Sequence, residues 1–476
     1  MKKGETRSIW LWGLGTGALL GLGGLPLRAF GVGWPPEGLF ALTTHWLGVP
    51  WVFNLLHRLF GFGDLAKNLA FLGAVALWLL LHPLLLALLR RGYWTGLGLA
   101  FLLYGGLGGL FLGLGPEGIR AGLLYALGLG LLALPFRPKG ERGVDPGRRG
   151  GLKLLALLGL ELLFGRGSKA QGPLGPGLPP EETPQKDLYY VSKNIAILDP
   201  DLRGRPYRLE VGGLVEAPLT LGLEELRSFP PLEANLVLTC ISNEVGGPLI
   251  GCPRWRGVPL RTLLEKARVK PGARFLVFEA ADGYIESLPL SELPLEALLA
   301  YAIWDPASKR WEELERKHGY PLRLLLPGRY GMKQPKWLTR VTLSEAEVLG
   351  YWARRGWSRE AVVRTQSCID TPRPGDRLRP GEEALVGGIA YAGGRPLEAV
   401  EVSTDGGKTW QRARLNPPRS RYAWQLWTFP WKPLAPGGYV LMVRAIEAGG
   451  RVQDPTPRDP LPDGATGYHK VRVRVG

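Results

Sequence analysis

The chain has 476 residues and a formal net charge of +17, and its length allows two or three domains. Residues 1–165 are rich in Leu, Gly, Ala and Trp with few acids, whereas residues 180–476 have the composition of an ordinary globular protein. The positive charge does not indicate nucleic-acid binding, because many basic residues flank apolar segments and no nucleic-acid-binding motif occurs.

Apolar stretches in the first third of the chain are long enough for membrane-spanning helices, which need about 20 apolar residues. They predict an α-helical membrane region of about five spans over residues 1–166, in contact with lipid. The His82-Pro83 pair predicts a kink in the second span. Residues 37–60 are amphipathic and predict an interfacial or re-entrant segment. The predicted spans are 10–27, 68–89, 95–115, 118–136 and a shorter one at 152–165.

Basic clusters give this region an orientation, since positive residues favour the cytoplasmic side. Lys2, Lys3 and Arg7 then lie inside, and five crossings place everything after residue 166 on the extracytoplasmic (periplasmic) side. Arg148-Arg149, followed by Leu152-Lys153, resembles a twin-arginine export signal. An ordinary basic stop before a helix explains these residues equally well. His82 is the only histidine well inside a predicted span, which favours anchoring, or docking of an electron carrier, over haem binding.

The rest of the chain divides into a linker and two soluble domains. Residues 167–186 are rich in Pro and Gly and predict an extended tether, with ordered structure beginning near Asp187. Residues 187–358 predict a mixed α+β domain with strands at 207–215, 234–240, 274–280 and 322–326 and helical segments at 223–227 and 260–267.

Residues 359–476 change character and predict an all-β sandwich resembling an immunoglobulin fold. Asp405-Gly406-Gly407 is a hairpin signal. A strand is also predicted at 439–445. In 471–475, valines alternate with Arg472 and Arg474, as expected of a half-buried strand.

Cys240 follows the predicted strand 234–240, and such a cysteine is by itself more often a small core residue than a ligand. Its wider context points to a ligand. The segments 238–247, 254–260, 318–323, 327–337 and 400–410 together resemble the sulfite oxidase family. The resemblance covers roughly residues 187–476, and the arrangement with the first third resembles membrane-anchored bacterial members.

The resemblance implies a molybdenum-molybdopterin cofactor with a single pterin, in which Cys240 is the metal ligand and a catalytic residue. A soft, electron-donating thiolate suits a metal in high oxidation states. The pterin phosphate would meet Arg323 and Lys336. A plain edge strand is the alternative for residues 189–194. The implied cofactor-binding residues are Tyr189, Tyr190, Lys193, Asn194, Cys240, Asp282, His318, Arg323, Gln334, Pro335 and Lys336.

Two departures from the family pattern leave the substrate open. Sulfite-oxidising members place arginine four and five residues after the cysteine, where this chain has Glu244 and Val245. Their active-site tyrosine corresponds to Trp357, which cannot perform the proton chemistry of a phenol. Trp357 is predicted to line the substrate pocket as a second catalytic residue, and a methionine-sulfoxide reductase-like activity is also open. Arg254 and Arg256 could bind an anion, although surface salt bridges are favoured.

These features predict an extracytoplasmic oxidoreductase that transfers an oxygen atom or two electrons on a small or sulfur-containing substrate. A separate electron carrier, cytochrome or quinone-linked, is its expected redox partner, and the sandwich could form a homodimer. The alternative is a non-catalytic, membrane-anchored sensory or adhesion ectodomain on the same scaffold. In an oxidising compartment, Cys252 and Cys368 are predicted to form a disulfide.

Overall fold

Strands make up most of the regular structure in the part of the chain that the computed structural model describes. That part comprises residues 3–24, 64–91, 99–100, 103–104, 125–126, 129, 177–194 and 199–476. The chain divides into two compact units, Met1–Arg166 and Gly167–Gly476.

Among the described residues of the first unit, α1 (Lys3–Gly24) and α2 (Asp64–Arg91) are the two continuous helices, and the short pieces 99–100, 103–104, 125–126 and 129 are also helical. Glycines let them approach closely: a Cβ atom on Gly13 would lie 2.4 Å from Cα of Pro83, and one on Gly17 would lie 2.8 Å from Nδ1 of His82. His82 Nδ1 donates to the carbonyl of Trp78 at 2.8 Å. Its Nε2 therefore accepts the hydroxyl of Tyr104 at 2.9 Å.

The prediction of an α-helical membrane region with about five spans is wrong. Within the described residues, none of the helices combines the length and the apolar character needed to cross a bilayer. Counting glycine as apolar overestimated these stretches, because α1 is glycine-rich and glycine has no side chain to bury. Helix α2 carries a buried His82 and Pro83 within it. The other stretches (37–60, 95–115, 118–136 and 152–165) and the Arg148-Arg149 pair lie largely or wholly outside the described residues.

The second unit has two short α-helices among its described residues, α3 (Leu223–Ser228) and α4 (Leu260–Ala267). Its strands are β1 (Arg208–Gly213), β2 (Leu219–Gly222), β3 (Leu232–Asn235), β4 (Leu238–Thr239), β5 (Ile250–Gly251), β6 (Arg254–Pro259), β7 (Phe275–Ala280), β8 (Ile285–Pro289), β9 (Leu298–Asp305), β10 (Arg310–Glu313), β11 (Arg323–Leu325), β12 (Leu338–Ser344), β13 (Gln366–Ser367), β14 (Arg377–Leu378), β15 (Ala384–Tyr391), β16 (Leu397–Ser403), β17 (Gln411–Arg412), β18 (Arg414–Leu415), β19 (Gln425–Trp431), β20 (Gly437–Glu447) and β21 (His469–Val475).

The first domain of this unit is built on two sheets. One has the order β2-β1-β12-β7-β8, with β1 parallel to β12, and the other has the order β10-β9-β6-β3, with β11 paired to β9. Apolar side chains from both sheets and from α3 and α4 form one buried core, including Leu209, Val258, Leu263, Phe278 and Leu324. Strands β4 and β5 form a separate two-stranded ribbon that carries Cys240 at its end.

The second domain packs the sheet β13-β15-β19-β18 against the sheet β14-β21-β20-β16-β17. Their inner faces share a core that includes Val400, Trp427, Leu441 and Val473. In β21 the valines are buried while Arg472 and Arg474 are exposed, as the alternating pattern predicts.

The predicted strand 234–240 is interrupted, and the interruption positions the cysteine. The N–H of Leu236 donates to the carbonyl of Pro253, and the N–H of Val237 donates to that of Tyr422 in the second domain. These bonds take the chain out of the β3 ladder and into the ribbon. Alternation of residue types cannot reveal this, because the bonding partners are distant in sequence.

Residues 178–185, which composition assigns to the linker, pack on the second unit. Leu178 is buried. The Thr183 N–H donates to the carbonyl of Cys252 at 3.0 Å, and the Gln185 side chain bonds to the backbone of Glu313 and Glu315. Composition overestimated the tether here, because Pro-rich backbone can still bond to neighbouring strands. The domain boundaries themselves stay predictions.

The predicted disulfide between Cys252 and Cys368 is wrong, since both side chains are thiols. Cys252 is completely buried, and its N–H donates to Thr183 Oγ1 at 2.8 Å. Cys368 Sγ donates to Asp370 Oδ2 at 3.3 Å. Each cysteine is thus held in its own surroundings, which spacing along the chain could not show.

Burial raises the pKa of the Cys252 thiol to about 12, so at pH 8 only about one molecule in ten thousand carries the thiolate there. We expect iodoacetamide to modify Cys368 in the native protein and to leave Cys252 unmodified until denaturant is added. Peptide mass mapping without reductant measures both. A cross-linked Cys252–Cys368 peptide would contradict the structure.

Candidate active site around Cys240

The Cys240 side chain lies at the start of a tightly bonded loop, 240–249. Its N–H donates to the carbonyl of Leu249 at 2.9 Å, and its own carbonyl accepts the N–H of Asn243 at 3.1 Å. Asn243 Oδ1 in turn accepts the N–H of Leu249 at 2.8 Å. The Sγ atom lies 3.0 Å from Ser242 Oγ. The thiol is therefore held in one place by the backbone rather than by side-chain packing alone.

The second domain contacts the tip of this loop. Gly246 has a φ of +76°, and a Cβ atom there would lie 2.3 Å from Nε2 of His469. The N–H of Ile369 donates to His469 Nδ1 at 3.0 Å. This makes Nε2 the protonated ring nitrogen when the imidazole is neutral, and Nε2 faces the loop.

Three tyrosines surround Cys240. Tyr189, Tyr284 and Tyr330 have pKa values raised by burial first, and each is close enough to Cys240 for thiolate charge to raise them further. The Tyr284 hydroxyl donates to the carbonyl of Met332 at 2.6 Å. A Cβ atom on Gly331 would lie 3.0 Å from the Tyr189 hydroxyl and 3.4 Å from the carbonyl oxygen of Thr239. The segment after Tyr330 thus packs directly beside the cysteine strand.

A basic group lies on the first domain and contains the buried His318 and Arg323 and the half-buried Lys336. Arg323 in β11 is completely enclosed; its Nη1 donates to the carbonyl of His318 at 3.1 Å and its Nη2 to that of Gln334 at 3.4 Å. Its guanidinium also lies 5.3 Å from the centre of the Trp255 ring. Lys336 Nζ donates to the carbonyl of Lys317 at 2.9 Å. Gly319 joins these residues, because a Cβ atom there would lie 3.1 Å from Cβ of both Arg323 and Lys336.

The electrostatics of this group favour an anion. Burial, followed by the charges of Lys317, Arg323 and Lys336, lowers the pKa of His318 to about 2. Burial lowers the pKa of Arg323 to about 10. Among the described residues, His318 Nε2 and Arg323 Nε have no hydrogen-bond partner although both atoms are buried. Buried polar atoms normally have partners. The Nε–H of Arg323 is a donor and fits a phosphate or another group with acceptor oxygens.

A second polar group lies on residues 189–194 and Asp199. Lys193 is 3.7 Å from Asp282, with both side chains almost fully buried. Asn194 Nδ2 donates to Asp282 at 3.0 Å and to Asp199 at 3.3 Å. The Tyr190 ring joins this group to the basic one, because Lys336 Nζ lies 4.5 Å from its centre. These contacts go beyond those of a plain edge strand.

The remaining predicted site residues occupy supporting positions. Gln334 directs its side chain to the carbonyl of Arg329 at 2.7 Å, and Pro335 accepts the N–H of Leu324 at 2.9 Å through its carbonyl. Trp357 is buried just after the 3-10 turn Ala353–Arg355. Arg254 and Arg256 both pair with Glu233 across β3 and β6, in agreement with the favoured salt-bridge interpretation.

A buried ion pair was not predicted from the sequence. Lys333 Nζ lies 2.8 Å from Glu286 Oε1 and donates to the carbonyl of Ser287 at 2.9 Å. Burial raises the pKa of Glu286, and Lys333 opposes that rise. Gly350 leaves the space for this carboxylate, since a Cβ atom there would lie 2.2 Å from its oxygens. The pair fixes the turn Gly331–Lys333 to β8, beside the residues described above.

Two family models match this unit. Residues 196–352 match an oxidoreductase molybdopterin-binding domain, and residues 359–475 match a Mo-co oxidoreductase dimerisation domain. The cofactor expected from the sequence, molybdenum-molybdopterin, is therefore confirmed. The basic group formed by His318, Arg323 and Lys336 fits the phosphate of such a cofactor.

Curated relatives and a solved structure agree with these matches. The chain is 32% identical to human mitochondrial sulfite oxidase over 309 residues, 54% of each chain. It is 30% identical to chicken sulfite oxidase over 315 residues, 56% of this chain and 67% of the chicken protein. The sulfane dehydrogenase SoxCD from Paracoccus pantotrophus shares the fold, with a TM-score of 0.55 at 23% identity, over 71% of this chain and 94% of that one.

These comparisons show an oxidoreductase of the molybdopterin class, so the non-catalytic alternative is set aside. The match spans about half the length of the human relative.

The buried Lys333–Glu286 pair gives a test of how the site is supported. Lys333→Met leaves a buried carboxylate without its partner, and we expect the free energy of unfolding to fall by about 3–5 kcal/mol. The double variant Lys333→Met/Glu286→Leu should recover most of that loss, because both charges are then removed. Denaturant unfolding of the whole chain, followed by tryptophan fluorescence, measures these changes.

The matched control is Arg340→Met, which breaks the exposed pair between Arg340 and Glu210. That change should cost no more than about 1 kcal/mol. A Lys333→Met effect as small as this control would show that the buried pair does not anchor the turn.

Proposed function

The chain belongs to the sulfite oxidase family, and we propose that its second unit catalyses a two-electron oxygen-atom transfer on a small, sulfur-type substrate, with Cys240 as the molybdenum ligand. One observation carries the proposal. The cysteine strand and a basic group with two buried, unpartnered polar atoms, His318 Nε2 and Arg323 Nε, are built into the same domain.

When bound, the molybdenum cofactor supplies the two-electron redox chemistry. The loop 240–249 holds the Cys240 sulfur in a fixed position. A thiolate is a soft donor, which suits such a metal. His318, Arg323 and Lys336 hold the pterin phosphate, because a planar guanidinium and an ammonium suit its oxygens. Tyr189, Tyr190, Lys193, Asn194 and Asp282 line the pterin, and the backbone around Gln334 and Pro335 shapes the site.

The reaction balances with water and an external electron acceptor. In the oxidising direction, the substrate gains one oxygen from water and releases two protons and two electrons. A separate electron carrier, cytochrome or quinone-linked, accepts these electrons. In the reducing direction, the substrate loses one oxygen atom, which leaves as water, and two protons and two electrons are consumed.

The substrate side differs from that of a sulfite-binding pocket. Glu244 and Val245 stand where sulfite-oxidising members have arginine, and Trp357 contributes a buried indole. Burial and then the neighbouring Asp459 raise the pKa of Glu244. Two carboxylates near the loop tip disfavour a close anion, so the proposal does not extend to sulfite. The dimerisation domain supports a homodimer as the assembly.

Cys240→Ser tests the ligand directly in holoprotein from a molybdenum-replete host. We expect dye-linked activity to fall on the order of 100-fold or more, since loss of groups merely supporting a ligand costs 10–100-fold. The visible thiolate-to-metal absorption should disappear as well. Molybdenum content by mass spectrometry and assays in both directions, with ferricyanide or with reduced methyl viologen, provide the measurements.

Cys368→Ser is the matched control, because Cys368 bonds to Asp370 in the second domain and takes no part in the site. It should leave the metal content, the spectrum and the activity unchanged. Wild-type protein without molybdenum, or a Cys240→Ser variant indistinguishable from Cys368→Ser, would overturn the proposed function.

A further inference from the structure

We infer that Tyr330 is a substrate-positioning residue, whose phenol hydroxyl donates a hydrogen bond to an oxygen atom of the substrate or product beside Cys240. This inference rests on the proposed function and adds to it a side chain that the sequence did not single out. The evidence for it is the position of the Tyr330 hydroxyl and its O–H hydrogen, which has no acceptor among the described residues.

The position follows from backbone contacts on both sides of Tyr330. The next residue, Gly331, packs against the carbonyl of Thr239, the residue before Cys240. On the other side, the Tyr330 N–H donates to the carbonyl of Ala361 at 2.8 Å, and Arg329 forms a β-bridge with Val362. Tyr330 therefore lies between the cysteine strand and the segment that begins at Trp357.

The hydroxyl is buried and keeps a hydrogen to donate. Its oxygen accepts the N–H of Arg364 at 3.3 Å. Within the part of the chain that the structure describes, the O–H hydrogen itself has no acceptor, although the residue is only 4% exposed. A buried phenol normally finds a partner for its O–H, so this hydrogen is available to an acceptor that the described chain does not supply.

Residues of the second domain cover the Tyr330 hydroxyl from the opposite side. A Cβ atom on Gly464 would lie 2.3 Å from the Tyr330 hydroxyl oxygen. The N–H of Ser358, next to Trp357, donates to the carbonyl of Pro462 at 3.0 Å. The phenol thus lies at the junction where the second domain meets the cysteine-bearing domain.

The charges near Tyr330 are already paired, which favours a neutral acceptor. Arg364 lies 3.7 Å from Asp463, and Arg395 lies 3.0 Å from Glu447. Neither guanidinium is therefore an unpaired cation for an anionic substrate. A neutral compound with a sulfur-bound oxygen matches a phenol donor, and dimethyl sulfoxide is the simplest probe of that class.

The test compares two ligands that differ in oxygen. Binding of dimethyl sulfone and of dimethyl sulfide to the oxidised, molybdenum-loaded protein is measured by tryptophan fluorescence. We expect Tyr330→Phe to weaken sulfone binding about 10-fold, the loss expected for one hydrogen bond, and to leave sulfide binding unchanged. Dimethyl sulfoxide reduction with reduced methyl viologen should lose about the same factor in kcat/KM.

Tyr207→Phe is the matched control, because the Tyr207 hydroxyl donates to the backbone of Leu338 in the core of the first sheet, away from Cys240. A purely structural role for Tyr330 would weaken both ligands equally, and that result would overturn the inference. So would equal binding of sulfone and sulfide by the wild type, a measurement that does not depend on the variant folding.

The two proposals fail separately. A wild-type protein without molybdenum and without dye-linked activity removes the proposed function. A loaded, active wild type whose Tyr330→Phe variant binds sulfone normally removes only the role of Tyr330.

Discussion

The burial of a guanidinium without a carboxylate partner among the described residues is the constraint on which the candidate site depends. Arg323 lies in the interior, and only two carbonyl groups and the Trp255 ring compensate for its lost hydration. That compensation is incomplete, because the pKa of Arg323 still falls to about 10. Removing a charge from water costs several kcal/mol even after relaxation. A chain folds around such a group when an anion is available to complete it, and His318 adds a second buried, unpartnered nitrogen at the same place.

The fold meets this constraint with two positive-φ residues, one before β11 and one before β12. Gly319 has a φ of +107° and brings Cβ of Arg323 and of Lys336 within contact of one turn. Trp337 has a φ of +52°, a conformation that costs a non-glycine residue about 1–3 kcal/mol. Its indole N–H donates to the carbonyl of Arg316 at 2.9 Å, which holds the strained residue in place. Gly319 and Trp337 flank Arg323 and Lys336 in the sequence. The strain at Trp337 therefore lies next to the basic group, where ligand binding can offset it.

Local patterns in the sequence predicted the regular elements better than the contacts that make the site. The spacing of Leu260, Leu263 and Leu264 gave helix α4 its observed bounds, and alternation gave β21. The membrane spans failed because apolar counting ignores how little glycine contributes. The pair Lys333–Glu286 and the position of Tyr330 join residues far apart in the chain, which no local period encodes. The candidate cofactor-binding residues were predicted from long motifs, and that Tyr190 and Lys336 meet could be known only from the fold.

In the proposed function, cofactor retention and substrate recognition use different parts of the second unit. The basic group lies wholly within the first domain, on the strands and turns from Arg316 to Trp337. The loop after Cys240 is fixed by its own backbone bonds, yet its tip rests on His469 of the second domain. Functional loops are commonly held in this way by a rigid scaffold. A small shift between the two domains would therefore alter the surroundings of Tyr330 and Gly246 while leaving Arg323 in place. Under the proposed function, substrate preference can accordingly change through the second domain without loss of the cofactor.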